Sequence, residues 1–187
     1  MSNPEVMILG VVSDTHVPDR VAGLHQDLLF QLRQAGVQQI LHCGDICSPQ
    51  VLKCLAEVAP VSAVRGNRDW LFAGKLPWRR DLDINGVSFA VMHGMGSWRK
   101  YLEYKLRFGG SGYSLEYYLP LVRAAAPHAD VIVFGHTHFP EIVRQDGQLI
   151  INPGSASLGR RRGWKPTFGL LAVSADGQVN AAIRELG

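Results

Sequence analysis

Seven side chains that can bind a metal ion stand in five short, widely separated fragments of this 187-residue chain: Asp14-Thr15-His16, Gly44-Asp45, Gly66-Asn67, His93-Gly94 and His136-Thr137-His138. In the first and last of these the donors lie two positions apart, just beyond an apolar run. Each fragment alone turns up about once or less in a shuffled chain of this composition, the false-positive risk of any short motif. All five in the observed order are expected on the order of 3 × 10⁻⁴ times, so the set carries weight that its parts lack. Imidazole and carboxylate donors suit a borderline divalent ion such as Mn²⁺, Fe²⁺, Co²⁺, Ni²⁺ or Zn²⁺, and the scarcity of thiolate argues against a structural zinc site. The donors suffice for two ions. Asp45, from the middle of the set, can bridge them, and two ions about 3.5–4 Å apart can activate a shared water while clamping the oxygens of a phosphoryl group.

These fragments need a scaffold that gathers them, and the apolar pattern supplies one. Val6 to Val12 reads as a strand buried on both faces, ending at Ser13-Asp14. A helix is predicted from about Val21 to Ala35, with Leu24, Leu28 and Leu32 on one stripe and Gly36 as its stop. Gln39 to His42 is the next strand, followed by a helix capped by Ser48 with Pro49 at its first position, and then a strand from Val61 to Val64. That alternation predicts a parallel sheet with crossover helices. Asp81 to Ile84 and Val87 to Met92 flank Asn85-Gly86, a hairpin signal. Residues 95 to 126 read as mainly helical, Asp130 to Phe134 as a buried strand, and two hairpins turn at Asp146-Gly147 and Asp176-Gly177. Every candidate ligand fragment follows a strand directly. In open α/β sheets the loops at the carboxyl ends of strands form the binding crevice, so distant residues can converge there.

Length and a hydrophobic share of 47% fit one domain with ample core material. The first residues lack a basic leader pattern and the apolar stretch that follows is too short to span a membrane, so the chain reads as cytoplasmic with no membrane partner. Cys43, Cys47 and Cys54 do not have zinc-ribbon or thioredoxin-like spacing and read as reduced thiols, Cys43 being close enough to Asp45 to be reactive or a stray metal contact. A net charge of +3 permits anionic substrates without demanding nucleic acid. Of the other histidines, His25 falls within the first predicted helix and His128 just before a strand, and both read as surface or structural. His42, inside its strand, reads as support for the ligands.

Ser13-Asp14-Thr15-His16, Gly44-Asp45, Gly66-Asn67-Arg68-Asp69, His93-Gly94, Gly135-His136-Thr137-His138 and Asn152-Pro153-Gly154-Ser155 resemble, in order, the motifs of the calcineurin-like metallophosphoesterases. Among these the chain looks most like the small bacterial and archaeal phosphodiesterases related to the retromer subunit Vps29, over about residues 6 to 173. The resemblance implies a four-layer αββα sandwich with two mixed sheets and a dinuclear centre, Mn²⁺ being favoured. It implies that Asp14, His16 and His138 hold one ion, Asn67, His93 and His136 the other, and that Asp45 bridges. A metal-bound hydroxide would then attack phosphorus in line, with Asp45, Asn67 and His93 at the reacting centre and Asn67, Arg68 and His93 against the substrate. The Asn152 to Ser155 loop would border the site.

Two features depart from that pattern. Many relatives carry histidine where this chain has Arg68, and an arginine stays charged and is a poor proton donor, so good leaving groups are expected. Asp69 is expected to anchor the loop rather than react. A basic and aromatic insert at about residues 95 to 118 can cover the core, make a homo-oligomer contact, or act as a lid selecting nucleotide-like substrates. Arg160, Arg161 and Arg162 are a short charge run expected to be solvated. The expected activity is phosphodiester hydrolysis on a small or nucleotide-like substrate. Phosphomonoesterase, non-catalytic Vps29-like scaffold and, less favoured, nuclease are the alternatives.

Overall fold

The computed structural model describes residues 6–69, 75–97, 99, 102–103, 106, 115–159 and 163–187. Apolar runs in the first third become β1 (Met7–Val12), β2 (Gln39–His42) and β3 (Val61–Ala63), with helices α1 (Leu28–Gln34) and α2 (Pro49–Ala56) between them. β4 (Arg79–Ile84) and β5 (Val87–Met92) form the hairpin predicted at Asn85-Gly86. Then come α3 (Leu115–Ala125), β6 (Val131–Val133), the β7 (Pro140–Gln145) and β8 (Gln148–Pro153) hairpin, and the β9 (Thr167–Val173) and β10 (Val179–Glu185) hairpin.

The strands build two mixed five-stranded sheets, ordered β10-β9-β1-β2-β3 and β4-β5-β6-β8-β7. In the first, β1, β2 and β3 are parallel and β9 runs antiparallel to β1. In the second, β5, β6 and β8 are parallel, with antiparallel β4 and β7 at the edges. Side-chain alternation then sets the layers. Leu9, Val11, Leu41, Phe89, Val133, Ile151 and Leu171 meet between the sheets. Val12 and Ile40 point the other way and pack with Leu28 and Leu32 of α1 and Leu55 of α2. Ala90, Ile132 and Ile150 cover the far face beneath Tyr118 and Val122 of α3. The result is helices, sheet, sheet, helix: the expected αββα sandwich. Gly10 marks where α1 lies closest to β1, because a Cβ there would stand 2.7 Å from Leu32 Cδ2.

Ser48 caps α2, its side chain accepting from the Gln50 amide at 3.2 Å, with Pro49 at the first helical position as expected. The first helix differs from expectation. It begins at Leu28, not Val21, and residues 17 to 27 form turns. The cause is local: the amides of Arg20 and Val21 both donate to the His16 carbonyl, so this stretch is tied back to the first ligand loop before the helix starts. His25 therefore lies in the turn ahead of α1 rather than within it, its Nδ1 accepting from the Asp27 amide. Most of the basic and aromatic insert, including Trp98, Lys100, Tyr101, Tyr104 and Lys105, lies outside the described residues, as do Arg160, Arg161 and Arg162.

Candidate metal centre

Both sheets present the carboxyl ends of their parallel strands to the same edge. Asp14 and His16 follow β1, Asp45 follows β2, Asn67 follows β3, His93 follows β5, and His136 and His138 follow β6. The loops that carry them are strained. Asp14, His16, Asp45, His136 and His138 all hold positive φ, between 50° and 69°, in the left-handed region that non-glycine residues rarely occupy. Each costs on the order of 1–2 kcal/mol. Strain of this kind, concentrated on the donors themselves, persists only where the surroundings enforce it.

The donor atoms fall into two groups. In one, His16 Nε2 and His138 Nε2 are 3.1 Å apart, with Asp14 Oδ1 3.3 Å from the latter and 3.7 Å from the former. In the other, Asn67 Oδ1 lies 3.0 Å from His93 Nε2 and 3.1 Å from His136 Nδ1, which are themselves 3.2 Å apart. Two donors that each reach about 2.1 Å to a shared ion stand roughly 3.0–3.4 Å apart at an octahedral or tetrahedral edge, a range that all of these spacings match except the 3.7 Å between Asp14 and His16. Asp45 lies between the groups. Its Oδ2 is 3.9 Å from His16 Nε2 and its Oδ1 is 3.5 Å from His93 Nε2.

One observation tests whether a cation fits. Asp14 Oδ1 is fully buried and has no hydrogen-bond partner, while Asp14 Oδ2 accepts from Ser13 Oγ at 2.5 Å and from the His136 amide at 3.0 Å. A buried carboxylate oxygen left bare beside two imidazole nitrogens is costly unless something positive meets it. The donor set of carboxylate, amide and imidazole suits a divalent ion.

Behind the donors, hydrogen bonds fix their aim. His93 Nδ1 donates to the Cys43 carbonyl at 2.7 Å, which leaves Nε2 to face Asn67. His42 is buried, its Nδ1 accepting from the Gly44 amide at 3.2 Å, and so braces the Asp45 loop as expected. Asp69 does most to join the loops. Its two oxygens accept from the amides of Asp45, Ile46, Cys47 and Gly66 at 2.7–3.1 Å. The Arg68 amide donates to Asp45 Oδ1 at 2.8 Å. Only glycine fits at position 66, since a Cβ there would meet Asp45 Oδ1 and the Asp45 amide at 2.2 Å. The Asn152 to Ser155 segment borders the site: Asn152 Nδ2 donates to the Gly135 carbonyl at 2.8 Å and Ser155 Oγ to the Asp14 carbonyl at 2.8 Å.

Two placements differ from the sequence reading. Cys43 packs in the core between the sheets, where burial pushes its thiol well above the ordinary range, so it is neither reactive nor a metal contact. The thiol near the site is that of Cys47, 3.9 Å from His16 Nδ1, and burial pushes it up to about 12. The second concerns Arg68, whose guanidinium forks onto Asp19 at 2.6 and 3.1 Å. Nothing in the sequence singled out Asp19, which also lies 3.6 Å from His16 Nδ1.

The histidines titrate in opposite directions. Burial lowers His16 to about 4 and both His42 and His136 to about 3. Burial opposes charge on His93 as well, but the neighbouring Asp45 and Asp14 carboxylates outweigh it and raise that group to about 9. The unfolded chain binds a proton at each near pH ~6.5. The three lowered groups thus contribute stability that is present above about 6.5 and lost as pH falls toward their folded values. His93 contributes stability that is present below about 6.5 and lost as pH rises through about 9. Urea unfolding of metal-stripped protein should show a maximum near pH 6.5, and divalent cation should remove the alkaline decline by replacing the His93 proton. A stability profile flat from pH 4 to 9 would contradict this.

Two donor groups with Asp45 between them, at the joint edge of an αββα sandwich, form a candidate centre for divalent cations. The chain belongs to the calcineurin-like phosphoesterase superfamily, whose domain matches residues 7–176. It is 31% identical over 177 residues to a probable metallophosphoesterase of Methanocaldococcus jannaschii, covering 95% of this chain and 80% of that one. A probable metallophosphoesterase of Methanothermobacter thermautotrophicus is 34% identical over 154 residues, with 82% and 80% covered. A phosphodiesterase of M. jannaschii is 27% identical, with 88% and 92% covered. In fold it resembles Vps29 of Cryptosporidium parvum, with a TM-score of 0.68 at 20% identity over 97% of this chain and 98% of that one. Entamoeba histolytica Vps29, solved in complex with Zn²⁺, gives 0.64 at 23% identity, covering 97% and 100%. No helix among the described residues is long and apolar enough to cross a membrane.

Proposed function

We propose that the protein is a phosphodiesterase working with two divalent cations, held by Asp14, His16 and His138 on one side and by Asn67, His93 and His136 on the other, with Asp45 between. The observation that carries this reading is the position of Asp45, one oxygen toward each donor group. Three oxygen and four nitrogen donors suit the borderline divalent ions, and Mn²⁺ is proposed among them on the family resemblance. Bound there, such cations supply an activated water and neutralise charge that builds on phosphorus. The chain's own residues do the rest. Asp69 holds the Asp45 backbone and the Arg68 amide its carboxylate, and the Cys43 carbonyl fixes the His93 tautomer.

The diester reading is supported by the similarity to a phosphodiesterase of M. jannaschii, and what stands beside Asn67 bears on the leaving group. A poor leaving group needs a proton donor, and position 68 carries a guanidinium that stays charged and is committed to Asp19. Esters with good leaving groups suit such a site. The Arg68→His protein should therefore gain about tenfold or more on an alkyl diester while changing little on a nitrophenyl one. Equal effects on both substrates would remove the argument. The reading itself is tested by comparing a nitrophenyl phosphodiester with the matching monoester. Faster turnover of the diester is expected, and preference for the monoester would make the protein a phosphomonoesterase.

A further inference from the structure

Beside His93 the protein has a cavity of about 350 Å³, between the His93 to Ser97 loop, the start of β4 and the C-terminal half of α3. Its walls include the side chains of Trp78, Met92, Met95, Leu121 and Ala125. Met92 and Met95 are buried, whereas the Trp78 ring is 47% exposed. The guanidinium carbon of Arg65 sits 4.6 Å from the Trp78 ring centroid, which gives the indole a fixed partner on the rim.

Charge decides what this cavity can take. Apart from His93, a ligand of the proposed centre, the cationic side chain among the described wall residues is Arg79, and it is already engaged, its Nε donating to Asp81 at 2.8 Å and its Nη1 to the Ala125 carbonyl. No carboxylate lines the described wall. A second phosphate would therefore find no open cation there, and an amine no anion. An uncharged, flat, apolar group would find methionine, leucine and an aromatic face, the lining common to small-molecule pockets. Of the candidate ligands His93 lines the cavity, and its Nε2 lies 3.0 Å from Asn67 Oδ1, so the cavity adjoins the donor group of Asn67 and His93.

We propose that this cavity receives one ester group of the substrate and selects phosphodiesters in which that group is aryl or of similar flat, apolar shape. The assignment rests on the diesterase reading given above, and it names the substrate class of that same site. Arg79 shapes the wall without binding an anion, and Trp78 provides the aromatic face.

The test compares two substrates with one leaving group, methyl p-nitrophenyl phosphate and phenyl p-nitrophenyl phosphate, on Mn²⁺-loaded protein. Wild type should favour the phenyl ester in kcat/KM by about tenfold or more, the range a hydrophobic pocket provides. Ala125→Trp fills the cavity from an exposed helix end, and Trp78→Ala removes its aromatic wall. In either variant the phenyl-to-methyl ratio should fall to within about twofold of one. Equal rates on the two esters in wild type, or a ratio that both variants leave unchanged, would overturn the assignment while leaving the diesterase intact. If neither ester is turned over, the diesterase reading fails, and calorimetry with phenylphosphonate and methylphosphonate decides the cavity separately. Tighter phenylphosphonate binding that Ala125→Trp abolishes supports it, and equal binding of the two removes it.

Discussion

Asp45→Ala protein will lose at least about 10³-fold in kcat/KM on a phosphodiester and will no longer bind two cations per chain. Asp45 is 3% exposed and lies within 3.9 Å of a histidine from each donor group, so its removal takes away a shared ligand and leaves the facing histidines without their counter-charge. Loss of a single charge-stabilising donor at an active site already costs about 10²–10³. A group that serves both cations costs more. Metal stoichiometry measured on the purified variant, beside its kinetics, separates loss of cations from loss of chemistry. Retention of two tightly bound ions with activity within tenfold of wild type would show that Asp45 does not bridge.

Asp69→Ala should act through stability as well as rate. Its carboxylate is 1% exposed and accepts four backbone amides from two loops, those after β2 and β3. Without it the amides of Asp45, Ile46, Cys47 and Gly66 lose a charged acceptor where water has little access. Hydrogen bonds to charged groups contribute about 1.5–3 kcal/mol each, not additively, and breaking a buried charged network typically costs about 3–5 kcal/mol. A fall in Tm of about 10 °C is the corresponding effect for a chain of this size. Asp69→Asn keeps two acceptor sites on one oxygen and should recover part of the loss. A change in Tm below about 2 °C for Asp69→Ala would mean that the two loops hold their shape without it.

Much of the scaffold is legible from the chain because its central strands are short, apolar and bounded by turn residues. Gln39 to His42 and Val87 to Met92 are strands over the residues that their pattern marks out, and Asn85-Gly86 turns the hairpin expected of it. The ligand fragments are legible for a related reason: each begins where an apolar run stops. What the sequence does not disclose depends on contacts that apolar periodicity does not report. Central strands that are apolar on both faces give no sign of which face meets the other sheet, so the split of Val11 to the inner core and Val12 to the outer one needs the fold. The late start of α1 reflects amides bound to the His16 carbonyl, which helical periodicity through Leu24 conceals. Asp19 is invisible for the same reason, since its partner Arg68 is 49 residues away. Cys43 and Cys47 show the limit of proximity in sequence: the cysteine two residues before Asp45 faces the core, and the one two residues after it faces His16.

The most direct measurement is hydrolysis of bis-p-nitrophenyl phosphate by metal-stripped protein as Mn²⁺ is added back. Turnover should appear with the cation, saturate at about two equivalents per chain and exceed turnover of p-nitrophenyl phosphate. A folded protein that binds two ions yet hydrolyses neither ester with Mn²⁺ or any other transition metal would contradict the proposed function.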